Sequence, residues 1–353
     1  MVLKTGCISL VLLLLVACGG GGGGGTDASA PVADQASSLP APDPVADSGT
    51  DAIDVDDDND AADAMELVPL RGIAAASRLA SRATMGQDYQ AIVAMSEEGE
   101  DVWLSRQFET PAGFHDPIVT DLIQRLSAGE FAALEAQNPN IQAVFSRLAW
   151  WQRAINAEDQ LRQRVALALS EIFVVSDSLN ALARYPYALS NYSDRLLDNA
   201  FGNFRDLLLD VTLHPSMGVY LSHINNAKAD PEANTFPDEN YAREVMQLFS
   251  IGLFELNPDG TEKLDADGNP VPTYDNDDIR EFARVFTGLS FGGQNRQFGS
   301  RGVDFRAPMA MFEAYHDDGE KTLLRGQQVP AGQPGMSDID AAVDNLFNHP
   351  NVG

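Results

Sequence analysis

Leu161-Arg162-Gln163-Arg164-Val165-Ala166-Leu167-Ala168-Leu169-Ser170-Glu171-Ile172-Phe173-Val174-Val175 reads as one amphipathic helix. Leu161, Val165, Ala168, Ile172 and Val175 recur at steps of three and four, which places them on one face of a 3.6-residue turn, with Arg162, Gln163, Arg164 and Glu171 off it. Such a stripe predicts a face turned to a core. The same spacing recurs outward over 73–83, 118–126, 141–155, 196–213 and 241–254. Start signals accompany it: Asn156 with Asp159, and Asp275 with Asp278 before Ile279, match capping boxes, in which a short side-chain oxygen accepts free first-turn N–H groups. Alternating strand and helix units are missing and no internal repeat is visible, so residues 67–353 read as a mainly α, multi-helix globular body, long enough to bury a sizeable core.

One segment departs from the helical pattern. Asn257-Pro258-Asp259-Gly260 and Asp265-Ala266-Asp267-Gly268 are turn sequences, and Val271-Pro272-Thr273-Tyr274 suits an edge strand, since proline cannot donate to a ladder. A small β-hairpin is therefore expected near 254–274. Asp265, Asp267 and Asn269 also imitate the start of a calcium loop, but Pro270 stands where the glycine belongs and Asn276 where a bidentate glutamate should be.

Before residue 67 the chain is of another kind. Lys4 and the apolar run Cys7 to Ala17 have the charge and length of a signal peptide, too short to span a bilayer. Leu15-Val16-Ala17-Cys18 resembles the bacterial lipobox, which implies cleavage after residue 17 and a lipid on Cys18; an ordinary secretory signal cut near Ala17 is the alternative. Residues 18–66 then carry seven consecutive glycines, 12 acids and no Lys or Arg. With few large apolar side chains such a stretch cannot offset chain entropy, and a disordered tether with a reach of ~40 Å is expected. Asp54, Asp56, Asp58 and Asp60 alternate as in a calcium loop, yet Asn59 replaces its glycine and Met65 its glutamate, and a solvated linker is the preferred reading.

Charge and cysteine usage narrow the function classes. The chain carries a net −29, and residues 67–353 alone hold 40 acids against 22 bases, so nucleic acid is not an expected partner. Cys7 and Cys18 are the two cysteines, so no disulfide is expected in the mature body. The five histidines, His115, His214, His223, His316 and His349, form no metal-binding motif, and no metal or other cofactor is expected. His316-Asp317-Asp318 is the densest ligand-type cluster, equally explained by a turn. Gly288-Leu289-Ser290-Phe291-Gly292 fits a nucleophile elbow by spelling alone: it follows a helix, where Gly288 reads as a C-cap, instead of rising from a strand.

A set of longer motifs carries a family resemblance. Asn203-Phe204-Arg205-Asp206-Leu207-Leu208, His214-Pro215-Ser216-Met217, the run Glu239 to Gly252, Asn257-Pro258-Asp259-Gly260 and Phe286-Thr287-Gly288 are similar to the bacterial family called domain of unknown function 1800. Ser81 to Gly86 and His316 to Leu323 support it. The resemblance covers roughly residues 70–353. It implies an exported helical protein without an assigned activity, often encoded beside a sulfatase-like protein, which becomes a possible partner. It also implies that family members continue past Gly353, so that this chain stops inside its last domain.

Candidate site residues follow from helical spacing. From Glu239 onward, Asn240, Arg243, Glu244 and Gln247 form a polar stripe opposite Tyr241, Val245, Leu248 and Gly252. One reading makes Arg243 and Glu244 the lining of a catalytic cleft, with His214 as acid, base or ligand. The other, preferred, is a solvated face with a Glu239–Arg243 pair, and His214 ending a helix as an imidazolium. Two functions stay open: a lipid-anchored binding or assembly component of the cell envelope, facing the periplasm or held at the outer membrane, or an envelope or extracellular hydrolase acting with a sulfatase-like partner.

Overall fold

The computed structural model describes residues 72–294, 296–299 and 304–352. The expected signal peptide, the expected lipid attachment at Cys18 and the expected tether over 18–66 lie outside the described residues. Ile73–Ala83 (α1), Tyr89–Glu98 (α2) and Glu100–Glu109 (α3) form an N-terminal layer closed around Ala76, Ala80, Met95 and Trp103. Gly99 ends α2 and opens α3 at φ +88°, a backbone that an L side chain resists, so the two helices follow each other without a loop.

Helices Asp116–Ser127 (α4), Ala132–Glu135 (α5), Phe145–Asn156 (α6), Gln160–Ile172 (α7), Asn180–Ala183 (α8) and Pro186–Asp198 (α9) follow. The larger core joins Ala166 of α7 and Tyr192, Leu196 and Leu197 of α9 to the remaining helices: Phe204–Leu213 (α10), Pro215–Tyr220 (α11), Asn240–Gln247 (α12), Asn276–Val285 (α13) and Gly335–Phe347 (α14). Leu208 and Val211 of α10, Tyr241 and Val245 of α12, Phe282 of α13 and Ile339, Val343 and Leu346 of α14 are buried together there. Two short antiparallel pairs complete the body, Leu289–Ser290 (β1) with Ala310–Met311 (β2), and Lys321–Leu323 (β3) with Gln327–Val329 (β4).

The fold is mainly α as expected, but four local readings change. The buried side of α7 is Gln160, Gln163 and Ala166, while Ala168 is exposed and Ile172 is 48% exposed. Polar partners decide this. Gln160 accepts from the Met85 N–H and donates to the Ala154 and Ala157 carbonyls, and Gln163 donates to the Gly113 carbonyl. Second, the helix expected over 196–213 is two helices. Asn199 takes the Arg195 carbonyl and Asp210, and Asn203 accepts from the Arg205 N–H, so short polar side chains compete with the backbone between α9 and α10. Third, α12 stops at Gln247, where the Ile251 and Gly252 N–H groups turn back onto the Met246 carbonyl. Fourth, Asn156 is the last residue of α6 and no cap; Asp275 and Asp278 do form the reciprocal box that starts α13.

At 254–274 the chain closes as three extended segments joined by single antiparallel bridges, Phe254 to Pro272, Leu256 to Glu262 and Leu264 to Pro270. Asn351 clamps the first segment: its Nδ2 donates to the Ile251 and Phe254 carbonyls, and its Oδ1 accepts from the Leu256 N–H. The Asp265 carboxylate accepts from the Asp267 and Asn269 N–H groups, which gives the calcium-like spelling a turn-closing role.

Helix α14 is tied down by a buried ionic cluster. Asp338 Oδ2 lies 2.6 Å from Lys321 Nζ and 3.1 Å from His316 Nε2, while Gln333 donates to Oδ1. Lys321 also donates to the Asp317 and Gly319 carbonyls, and His316 Nδ1 donates to the Thr287 carbonyl. Burial would raise the Asp338 carboxyl, but hydrogen bonds from His316, Lys321 and Gln333 outweigh it and hold it below the ordinary carboxylate range. The imidazole has no room to move: a Cβ on Gly335 would stand 2.9 Å from its Cγ. Leaving one buried charge without its partner costs about 3–5 kcal/mol. Asp338→Ala is therefore expected to lower unfolding stability in urea by about that amount, and a Lys321→Met, Asp338→Leu pair by less than Asp338→Ala alone.

Candidate functional site

The polar stripe of α12 divides when its partners are followed. Arg243 and Glu239 pair at 3.6 Å with both side chains over 40% exposed, the geometry of a weak surface ion pair. Glu244 differs, since its Oε2 is buried and has no hydrogen-bond partner among the described residues. The Tyr274 hydroxyl donates to Gln247 Oε1 at 3.4 Å, and burial raises this phenol, with Arg243 opposing. Leu248, expected on the apolar face, is 60% exposed because the helix has already ended.

His214 belongs to another neighbourhood. It ends α10 and starts α11, with Nδ1 accepting from the Ser216 N–H and Nε2 donating to Asn191 Oδ1. Burial, with Arg195 adding to it, pushes the imidazole down to about 3. The ring is therefore a neutral acceptor at the first turn of α11 and not an imidazolium at the end of α10. None of its partners is shared with Arg243 or Glu244. The α12 face that points inward carries Tyr241, whose hydroxyl meets Thr212 Oγ1 at 2.7 Å, and the two candidates lie off that face.

A second buried polar assembly was not visible in the sequence motifs. Asp194 Oδ1 accepts both the N–H and Nδ1–H of His115, and its Oδ2 accepts from the Asp116 N–H. A buried carboxylate of α9 thus caps the start of α4. Asp116 in turn accepts from Ser190, Asn191 and Arg306, and the Arg306 guanidinium lies 3.5 Å from the centre of the Tyr187 ring. Asn191 continues the network to His214. His115 Nε2 is buried and has no partner among the described residues. The available signal was Asp116-Pro117, a helix start that needs an external acceptor. Nothing local singled out Asp194 as that acceptor.

His223 is also internal. It donates from Nε2 to the Thr212 carbonyl, stacks on Tyr241 at 3.9 Å, and is pushed down to about 4 by burial. Ser290 sits on β1, fully buried, and donates to Asn225 Oδ1, so the elbow-like serine closes a loop contact. Asp317 of the His316-Asp317-Asp318 cluster is held by Arg284. Among the described residues no group of three or more His, Cys, Asp or Glu is placed to hold a metal.

An open cleft lies elsewhere, between α2, α3 and the turn joining α6 to α7. It encloses about 370 Å³. Ala91, Ala94, Met95, Trp103 and Ala157 give it an apolar lining, and Glu98, Arg106 and Glu158 supply charge. Arg106 holds Glu98 through two hydrogen bonds of 2.8 Å, from Nε and Nη2, which keep the carboxyl below its usual range. Gln107 and Gln160 also line it. Their amides are committed to backbone: Gln107 accepts from the Leu161 N–H and donates to the Glu158 carbonyl.

A family model described as Protein of unknown function (DUF1800) matches residues 78–353. No curated protein and no solved structure matches the chain.

The buried histidines have a measurable consequence. His214 and His223 have folded values of about 3 and about 4, against an unfolded value near 6.5. Both are neutral in either state above ~6.5, where their full contribution is present. Below that the unfolded chain binds protons first, and stability falls as pH drops toward the folded values. The expected slope approaches about 1.4 kcal/mol per pH unit for each ring, read from urea midpoints between about pH 6 and about 4, with His223→Gln removing one ring's share.

Proposed function

As a member of the DUF1800 family, the protein is, we propose, a lipid-anchored binding or assembly component of the cell envelope that engages its partner through the α2–α3 cleft. The cleft carries the reading. Ligand sites are concave and mostly apolar with a few placed polar groups, and the lining of Ala91, Ala94, Met95, Trp103 and Ala157 beside Glu98, Arg106 and Glu158 has that make-up. Support for the anchor comes from the lipobox-like Leu15 to Cys18 and the acidic stretch that follows. Two or three acyl chains at ~0.8 kcal/mol per buried CH2 would hold such a protein in its membrane, and the tether would give the body reach to meet a partner. The sulfatase-like protein suggested by the family resemblance is the partner to try.

Two measurements test this. The wild-type chain is expected in the membrane fraction and Cys18→Ser in the soluble fraction; a Cys18→Ser variant still in the membrane overturns the anchor. Co-expressed with the sulfatase-like protein and purified in mild detergent, the wild type is expected to retain it. Ala94→Phe, which fills the cleft from an exposed helical position, is expected to lose it. No recovery with the wild type overturns the assembly reading, and equal recovery with Ala94→Phe overturns the cleft.

A further inference from the structure

We infer that the α2–α3 cleft takes a basic, amphipathic segment of a partner polypeptide, a cationic side chain meeting its carboxylates while apolar neighbours cover the alanine lining. This rests on the cleft being the binding site proposed above. Size comes first. At about 370 Å³ the cleft is near the lower end for ligand sites, enough for a few side chains of a segment laid across it and too small for a whole element. It has depth because its walls are Ala91, Ala94 and Ala157, whose side chains end at Cβ.

The polar inventory then sets the sign of the ligand. Gln107 and Gln160 spend their amides on backbone partners, so neither is free to read a ligand. Arg106 spends Nε and Nη2 on Glu98, and that pair sums to zero charge while leaving the Glu98 oxygens able to accept further bonds. Glu158 adds a carboxylate that forms no salt bridge among the described residues, so the charged lining, Glu98, Arg106 and Glu158, is net negative. The surrounding body reinforces this, with 40 acids against 22 bases over residues 67–353. Its field concentrates cations and repels a second copy of the same chain.

The test uses the full chain in a nonionic detergent, titrated with acetyl-Leu-Lys-Leu-amide and with acetyl-Leu-Glu-Leu-amide; Ala94→Phe serves as the blank that cancels partitioning into micelles. The lysine peptide is expected to bind about fivefold tighter than the glutamate peptide at low salt, with the difference shrinking as salt is added. Glu98→Gln leaves the Arg106 charge uncompensated and is expected to abolish or reverse the preference, whereas Arg106→Gln should enlarge it. Equal or tighter binding of the glutamate peptide to the wild type overturns the ligand class and leaves the cleft as a binding site. If neither peptide distinguishes wild type from Ala94→Phe, this inference falls whatever the co-purification shows. Concentration-dependent self-association lost in Ala94→Phe would assign the cleft to a second copy and overturn it as well.

Discussion

Two buried carboxylates, Asp194 and Asp338, determine how the helices of this protein meet. A carboxylate removed from water is tolerated when its oxygens are filled with donors, and each of these fills them from other elements. Asp194 on α9 accepts from His115 twice and from Asp116, which fixes the start of α4 against α9. Asp338 on α14 accepts from Lys321, His316 and Gln333, which fixes α14 against the β3 segment. The donors are pinned in turn, His316 by Thr287 and Asp116 by Ser190, Asn191 and Arg306. Apolar burial supplies the larger driving force; these contacts select one relative placement of helices that apolar surfaces alone would let slide.

That organisation bears on function. Residue types that usually suggest chemistry are concentrated inside, and most are occupied: His214 by Ser216 and Asn191, His316 by Thr287 and Asp338, Ser290 by Asn225. His115 and His223 each have one ring nitrogen without a partner among the described residues, and both are sealed from solvent. Exposed surface is instead acidic and punctuated by apolar side chains such as Tyr89, Val102, Phe108 and Ile155.

The helical class was legible because period-3.6 patterning is a local property, and α1, α4 and α13 fall where their residues place them. The Asp275 and Asp278 box was legible for the same reason. What local pattern could not show was which polar side chains would be buried. Gln163 was placed off the apolar stripe of α7, where glutamine is usually exposed, and the Gly113 carbonyl, 50 residues away in sequence, makes its inward orientation favourable, as the Met85 N–H, 75 residues away, does for Gln160. The strand pairs were missed because two- and three-residue strands carry no periodicity. On α12 the spacing of Arg243, Glu244 and Gln247 is a local property, whereas the partners that divide the three depend on which way Tyr241 points.

The cleft follows from the same physics as the misread helix. To turn Gln160 and Gln107 inward, the α6–α7 junction must present its backbone carbonyls and N–H groups to side-chain amides, and alanine at 157 leaves space beside them. Across that space α2 offers Ala91 and Ala94, whose side chains end at Cβ. Trp103 and Met95, members of the small N-terminal core, line it as well. A larger residue at any of these alanines would fill the concavity from one of its walls. Concavity in the N-terminal layer is thus a by-product of satisfying buried amides with small neighbours, and it leaves charged groups where a ligand can reach them.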